Sequence, residues 1–188
     1  MLQDLAYGRL ENEFRHVPLT PQSRIVCFSG NRVMVRRGED DTLTLPIWEQ
    51  VERWAEGNDW SPWNEARVQY VFRIHDVDYF IWMGDSGEGG EGFSYEGVRG
   101  LRQLVSKDVC FAIMTAWHLY VWYRDNRFCG RCGEKTVHDK AERMMRCPHC
   151  GNMIFPKIAP VVIVAVTNGD RILLSKYAGR AFTRYALL

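Results

Sequence analysis

Two cysteine pairs decide how the second half of the chain folds: Cys129-Gly-Arg-Cys132 and Cys147-Pro-His-Cys150, which are separated by 14 residues. Four thiolates at these spacings can close a tetrahedron around one Zn2+, with each C-x2-C motif forming a tight knuckle. Both knuckles also contain residues that favour turns, namely Gly130, Gly133, Pro148 and Gly151. The pattern predicts a zinc ribbon whose metal is structural, because four cysteines leave no coordination position for a catalytic water.

A second interpretation of these cysteines is redox chemistry of the thioredoxin type. That chemistry uses one C-x-x-C on a βαβ pattern, whereas this chain has two copies facing each other across a short hairpin, so we favour zinc. His138 and His149 are alternative ligands by residue type, yet the cysteines already fill the shell. Cys27 and Cys110 lie within apolar runs and are predicted to be ordinary buried thiols.

The composition describes a globular protein. The 188 residues include 24 basic and 23 acidic side chains, and 46% of them are hydrophobic, which is enough for a real core. A net charge of +1 gives no whole-molecule field that would hold nucleic acid or an anionic membrane.

The longest apolar stretch, residues 109–123, is too short to cross a bilayer, so no membrane partner is expected. The first residues lack the pattern of a secretory signal, which predicts a cytoplasmic protein with reduced thiols.

Residues 1–105 predict an N-terminal α/β or mainly β module. Four runs have strand character, at residues 24–28, 31–35, 68–74 and 77–83. The last two are separated by His75-Asp76 and predict a hairpin. Residues 46–57 predict a helix with Pro46 in its first turn and Gly57 at its end. Its tryptophans, Trp48 and Trp54, are expected to pack and not to bind a ligand.

Residues 84–100 predict a glycine-rich, acidic connection. It contains Gly87-x-Gly89-x-x-Gly92, formally the pattern of a dinucleotide-binding turn, which needs a helix opening directly after it. No helical pattern follows, and Glu88 and Glu91 would set carboxylates against phosphates. A flexible loop is the favoured interpretation.

Residues 106–125 predict a helix that links the module to the ribbon. Ser106 is a good N-cap, and Asp108 suits the helix dipole in the first turn. Apolar residues lie almost all round the helix, so it should be buried against more than one neighbour. His118 is expected to be a hydrogen-bonded core residue, since no second ligand type lies one turn away.

The predicted ribbon, residues 126–157, is locally basic. From residue 124 to residue 157 there are eight basic side chains (Arg124, Arg127, Arg131, Lys135, Lys140, Arg143, Arg146 and Lys157) against four acidic ones (Asp125, Glu134, Asp139 and Glu142). A solvated surface and a phosphate-binding surface are both compatible with this excess.

The segment after the ribbon begins with Phe155-Pro-Lys-Ile-Ala-Pro160 and continues as an unbroken apolar run over residues 161–166. That run predicts a strand with cover on both faces. Asn168-Gly169 then predicts a type I′ hairpin turn before a second strand at residues 171–177.

The motif Phe128-Cys-Gly-Arg-Cys-Gly, the 14-residue spacer, the second knuckle and the Phe155-Pro-Lys-Ile-Ala-Pro bridge resemble the NADH pyrophosphatase (NAD diphosphatase) branch of the Nudix hydrolases. The resemblance covers residues 98–188 well and the first module only loosely. It implies an α/β/α Nudix domain that cleaves NADH or NAD+ to nicotinamide mononucleotide and AMP with Mg2+ or Mn2+. It also implies a homodimer and, for some members, removal of NAD caps from RNA.

The chain departs from this family where the catalytic glutamates are expected, because residues 1–188 contain no Nudix signature. We therefore assign no catalytic residue and expect the chain to be inactive by itself, as a piece of a longer enzyme. The expected fold class is α+β: the N-terminal module, the linking helix, the zinc ribbon, and residues 158–188 as the opening strands of a truncated Nudix fold.

The resemblance also implies three substrate contacts, at Arg102, Glu142 and Phe155. Phe155 stands where the family usually has a tyrosine, which removes a hydroxyl hydrogen bond but keeps a stacking face. An ordinary surface charge or core aromatic is the alternative for each. For the whole chain, two other functions stay open: a ribbon that binds nucleic acid or protein, and a ribbon that serves only folding and dimerisation.

Overall fold

The structure is a computed structural model of the chain, and it describes residues 9–39, 41–57, 68–84, 92–103, 105–179, 181 and 183–188. The side chains of residues 54–57, 99, 102 and 103 lie outside this description. Two compact units are present, Met1–Pro156 and Lys157–Leu188. Mixed sheets with few helices confirm the predicted α+β class.

In the described residues, the N-terminal module is a seven-stranded mixed sheet with the order β1-β5-β6-β2-β3-β4, in which β7 also pairs with β3. The pairs are antiparallel except for β2 and β6, which run parallel. The strands are β1 (Leu10–Glu11), β2 (Arg24–Ser29), β3 (Arg32–Arg37), β4 (Leu43–Thr44), β5 (Val68–Ile74), β6 (Val77–Trp82) and β7 (Phe93–Gly97). The helices are α1 (Trp48–Gly57), a 3-10 helix (Val98–Gln103) and α2 (Lys107–Asp125).

The predicted hairpin between β5 and β6 is confirmed. His75 and Asp76 form its two-residue turn with φ of 50° and 62°, the positive values that a type I′ turn requires at both central positions. The register of β5 shifts between Tyr70 and Phe72, so Val71 has no partner in the ladder and forms a β-bulge.

The sheet is buried on both faces. Alternate residues of β2 point to opposite sides, since a strand has a period of two. Val26 and Phe28 enter the core beneath α2, whereas Ile25 and Cys27 enter a second core beneath α1.

Helix α2 begins as predicted, because the Ser106 side chain accepts a hydrogen bond from the Val109 amide at 3.3 Å. It packs on the sheet through Ile113 and Ala116, and its C-terminal half packs on the ribbon through Trp122. The prediction that His118 lies in the core is wrong. Its side chain is exposed, because it projects from the side of α2 opposite the buried residues.

Two other boundaries differ from prediction. Helix α1 begins at Trp48 and not at Pro46, because the Pro46 carbonyl accepts a hydrogen bond from Ile25 and Ile47 bridges to Arg24. Part of the predicted glycine-rich loop is strand β7, whose register with β3 runs from residue 93 to residue 97. The Gly87-x-Gly89-x-x-Gly92 pattern falls mostly on residues 85–91, which lie outside the described residues, as does the side chain of Trp54.

The ribbon contains a three-stranded antiparallel sheet with the order β10-β9-β8. Its strands are β8 (Val137–His138), β9 (Met145–Arg146) and β10 (Met153–Ile154). Met145 faces inward and packs against Trp122 and Tyr123 of α2. The neighbouring position Arg146 faces outward.

The unit Lys157–Leu188 contains a short hairpin, β11 (Thr167–Asn168) and β12 (Arg171–Ile172). The predicted hairpin exists, but its turn is Gly169-Asp170, one residue later than Asn168-Gly169, and of these only Gly169 has a positive φ. The run at residues 161–166 is not a strand, and all six residues are exposed. A strand that is apolar at every position needs neighbours on both faces.

No helix in the described part of the chain is long and apolar enough to span a bilayer.

Candidate metal centre and ligand residues

The four cysteine sulfur atoms converge on one point. The Sγ atoms of Cys129, Cys132, Cys147 and Cys150 all lie within 4.8 Å of one another. Two of the separations are 3.6 Å, for Cys129 to Cys150, and 3.4 Å, for Cys132 to Cys147. A tetrahedral Zn2+ with Zn–S bonds of about 2.3 Å would set its sulfur atoms about 3.8 Å apart. The donor set and its spacing therefore fit a zinc ion.

The two knuckles repeat the same local geometry. In the first, the Gly133 amide donates to the Cys129 carbonyl at 2.8 Å, and in the second the Gly151 amide donates to the Cys147 carbonyl at 3.1 Å. Both glycines take positive φ, 79° and 70°. Glycine adopts this conformation without steric cost, which is why the chain can turn back on itself after each cysteine pair.

Backbone amides also donate hydrogen bonds to the cysteine sulfur atoms. The Arg131 amide donates to Cys129 Sγ at 3.4 Å, and the Cys150 amide donates to Cys147 Sγ at the same distance. The amides of Arg131 and Cys132 lower the pKa of Cys129 to about 6. Burial and the neighbouring sulfur atoms raise the pKa of Cys132 to about 12, so the amides favour the metal-binding thiolate form at Cys129 and not at both cysteines of this knuckle.

The cysteines outside the cluster, Cys27 and Cys110, are buried thiols. Cys27 is fully buried in the sheet, and this burial raises the pKa of its thiol to about 12. Cys110 is buried in α2. The prediction of ordinary buried thiols is confirmed for both residues.

Sequence reasoning missed Asn152, which supports both knuckles. Its side-chain Nδ2 donates to Cys129 Sγ at 3.6 Å, and its carbonyl accepts the Cys147 amide at 2.9 Å. The outer contacts of a metal site orient its ligands. An amide side chain two residues after the last cysteine was the available signal.

The three predicted substrate residues lie on different elements. Glu142 is exposed in the turn between β8 and β9, where its amide and that of Ala141 donate to Asp139 Oδ1 at 3.1 Å and 2.8 Å. Phe155 directly follows β10 and is 48% exposed. Arg102 lies in the 3-10 helix, but its side chain is outside the described residues.

These features define an α+β protein with a four-cysteine zinc ribbon packed on its linking helix. Residues 124–155 match the family model described as the NADH pyrophosphatase zinc ribbon domain. The match confirms the predicted resemblance to the NADH pyrophosphatase branch of the Nudix hydrolases over part of the chain, and it supports structural zinc.

Curated relatives extend the similarity beyond the ribbon. The NAD-capped RNA hydrolase NudC of Pseudomonas syringae pv. syringae (strain B728a) is 31% identical over 125 residues, which are 65% of this chain and 43% of the relative. The protein of the same name from Pectobacterium carotovorum subsp. carotovorum (strain PC1) is 37% identical over 90 residues, or 47% and 35% of the two chains. That of Pseudomonas aeruginosa (strain LESB58) is 46% identical over 56 residues, or 30% and 20%. The chain thus spans less than half the length of each of these relatives.

Proposed function

We propose that this chain supplies the N-terminal module and zinc ribbon of a Nudix hydrolase that acts on NAD-type dinucleotides. In the reaction, a water oxygen bonds to one phosphorus of the diphosphate while the bond from that phosphorus to the bridging oxygen breaks. NADH and water then give NMNH and AMP. The observation that carries the proposal is the match of the ribbon, residues 124–155, to the NADH pyrophosphatase ribbon model.

We propose the same chemistry for NAD-capped RNA, because the similar curated proteins bear the name NAD-capped RNA hydrolase. Mg2+ or Mn2+ would neutralise the diphosphate and activate the water. The glutamates that would hold this ion are not found in residues 1–188, so the chain by itself should not turn over substrate. Its ribbon should hold Zn2+ through Cys129, Cys132, Cys147 and Cys150.

Within this function, the residues divide into four parts: a module at 1–105, a linking helix at 106–125, the ribbon at 126–157 and the start of a Nudix domain at 158–188. Phe155 would stack on a base of the dinucleotide, since its ring is half exposed on the ribbon. Glu142 and Arg102 would contact the polar part of the substrate. The complete enzyme would act as a homodimer in the cytoplasm.

The proposal is tested by titrating the zinc-loaded chain with NADH and following the fluorescence of the nicotinamide. Phe155→Ala should weaken binding about 2- to 10-fold, because one aromatic stacking contact is lost. Phe128→Ala is the matched control, since Phe128 is also an exposed ribbon phenylalanine, at 64%. Its loss should leave binding unchanged.

Two results would contradict the proposal. The first is equal weakening by the two phenylalanine variants. The second contradicts only the expected inactivity of the chain by itself. It is release of AMP from NADH by the purified chain with Mg2+, since this would require a catalytic site within residues 1–188.

A second function, binding of single-stranded nucleic acid, is favoured by the outward face of the ribbon sheet. Arg146 is the direct cross-strand neighbour of both Val137 and Met153, which are 51% and 57% exposed. Lys135 pairs with the exposed Phe128 in the next row. Aromatic and basic side chains on one sheet face suit stacked bases and phosphates. RNA affinity that falls steeply with salt, and falls further in Lys135→Ala, would support this function.

A further inference from the structure

The edge of the N-terminal sheet is interrupted where β1 leaves β5. The β1–β5 register contains two pairs, Leu10 with Ile74 and Glu11 with Arg73, and then ends. The bulge at Val71 follows closely along β5. A bulge disrupts the local ladder, so backbone carbonyls at this point need other donors.

Arg143, a residue of the zinc ribbon, supplies these donors. Its Nη1 donates to the Asn12 carbonyl at 3.1 Å, and its Nη2 donates to the Val71 carbonyl. The two contacts join chain segments that are 131 and 72 residues away in sequence. One guanidinium therefore holds together the end of β1, the bulge of β5 and the ribbon.

The Arg143 side chain is not an ordinary surface charge. It is half-buried, and this burial lowers the pKa of its guanidinium. Among the described residues, no carboxylate lies within ion-pair distance of it. Its partners are the two backbone carbonyls and the hydroxyl of Tyr123, all of them neutral groups. A half-buried cation held by neutral partners is costly to bury and serves to fix geometry.

Further contacts hold the same two regions together. We call residues 10–16 the N-terminal segment and residues 138–143 the ribbon loop. His16 Nε2 lies 2.6 Å from the Lys140 carbonyl. The rings of Phe14 and His138 are 5.0 Å apart at their centroids. With Arg143, the ribbon loop thus contacts the N-terminal segment at three positions.

The ribbon loop lies between the two cysteine knuckles, which would be drawn together by a metal ion. We infer that zinc binding keeps the N-terminal segment in place on the sheet, a coupling that we call the latch. Arg143 is the residue that links the ribbon loop to this segment. Zinc fixes the knuckles, the knuckles fix the ribbon loop, and Arg143 then holds β1 against β5. Loss of the metal releases residues 10–16 while the rest of the sheet stays folded. This inference does not depend on the proposed substrate.

Hydrogen exchange measured by mass spectrometry on the full chain tests the latch. Three samples are compared: the zinc-loaded chain, the chain after chelation, and zinc-loaded Arg143→Met. In the last two, amides of residues 10–16 should exchange about tenfold faster or more, as expected when a local segment opens. Amides of β2 and β6 should keep their protection. Arg127→Met, which changes an exposed ribbon arginine outside both knuckles, is the control and should behave as the unaltered chain.

Arg143→Lys and zinc analysis complete the test. Lysine carries its three donors on one nitrogen atom and lacks the planar fork of the guanidinium, so it should release the segment in part. Arg143→Met should retain its zinc. The latch is refuted if residues 10–16 stay protected after chelation or in Arg143→Met. It is equally refuted if Arg143→Met loses zinc or exposes β2 and β6, because Arg143 would then support the whole fold.

Discussion

The hydroxyl of Tyr123 lies 3.0 Å from Nε2 of His138 and joins the linking helix to the ribbon sheet. The other ring nitrogen, Nδ1, lies 2.5 Å from the Asp139 carbonyl. A carbonyl only accepts, so Nδ1 carries a proton. Burial favours the neutral imidazole, because it lowers the pKa of His138 from its ordinary value of 6.5. In this neutral form Nε2 accepts the hydrogen bond from Tyr123.

The lowered pKa of His138 predicts a pH dependence of stability. The unfolded chain binds a proton on this imidazole more readily than the folded chain does. The contribution of His138 is therefore fully present above about pH 6.5 and is lost as the pH falls through the lower, folded pKa. Chemical unfolding of the zinc-loaded chain between pH 8 and pH 5 should show a falling free energy of unfolding.

The matched variant for this prediction is His138→Phe, whose ring can still stack on Phe14 but cannot titrate. Its free energy of unfolding should change less over the same pH range. Zinc content must be measured at each pH, because protons also compete with the metal for cysteine. A pH profile identical to that of the unaltered chain would show that His138 is not responsible.

Metal content provides the second prediction. The purified chain should contain about one Zn2+, and Cys147→Ser should lose it because three sulfur ligands cannot complete a structural site. Elemental analysis and the absorption of the Co2+-substituted protein measure this. Cys27→Ala should keep the full zinc content, since Cys27 lies in the sheet and outside the cluster. Zinc retained in the Cys147 variant would mean that another group serves as the fourth ligand.

The core beneath α2 provides the third prediction. Ile113 is fully buried there, so Ile113→Ala should lower the free energy of unfolding by about 2–5 kcal/mol through lost burial and the cavity left behind. Val137→Ala, on the exposed face of the ribbon, should change it by about 0.5 kcal/mol or less. Denaturant unfolding compares the two. Similar losses would mean that α2 does not cover a core.

The start of α2 provides the fourth prediction. Ser106→Ala removes the side-chain acceptor of the Val109 amide and should cost about 0.5–2 kcal/mol of stability. Ser106→Thr keeps an acceptor at the same place and should recover most of this loss. Thermal unfolding of the three proteins measures the differences. Equal melting temperatures would indicate that water satisfies the amide equally well.

The features predicted correctly from the sequence depend on neighbouring residues. Each zinc knuckle is formed by a few adjacent residues, and Gly133 gives the turn that its geometry needs. The β5–β6 turn is set by His75 and Asp76, and the start of α2 is set by Ser106. In all of these, a backbone group finds its partner within a few positions of the chain.

The features that the sequence did not predict depend on residues far apart in the chain. The bulge at Val71 is visible only in the register of two strands, and Arg143 is a partner of that bulge from 72 residues away. His118 lies on an apolar-looking helix, and only the packing of that helix shows which side meets water. The substrate residues Arg102, Glu142 and Phe155 stay predictions.

The parallel pairing of β2 with β6 bears on how the chain acquires its structure. Residues 24–27 of β2 lie beside residues 79–82 of β6, so β2 cannot form this pair until β6 has been synthesised. Closing the loop between them costs conformational entropy before the contacts that offset this cost can form, which slows folding. Until β6 emerges from the ribosome, β2 is an apolar strand with an open edge, and we expect chaperones to engage the nascent chain during this interval.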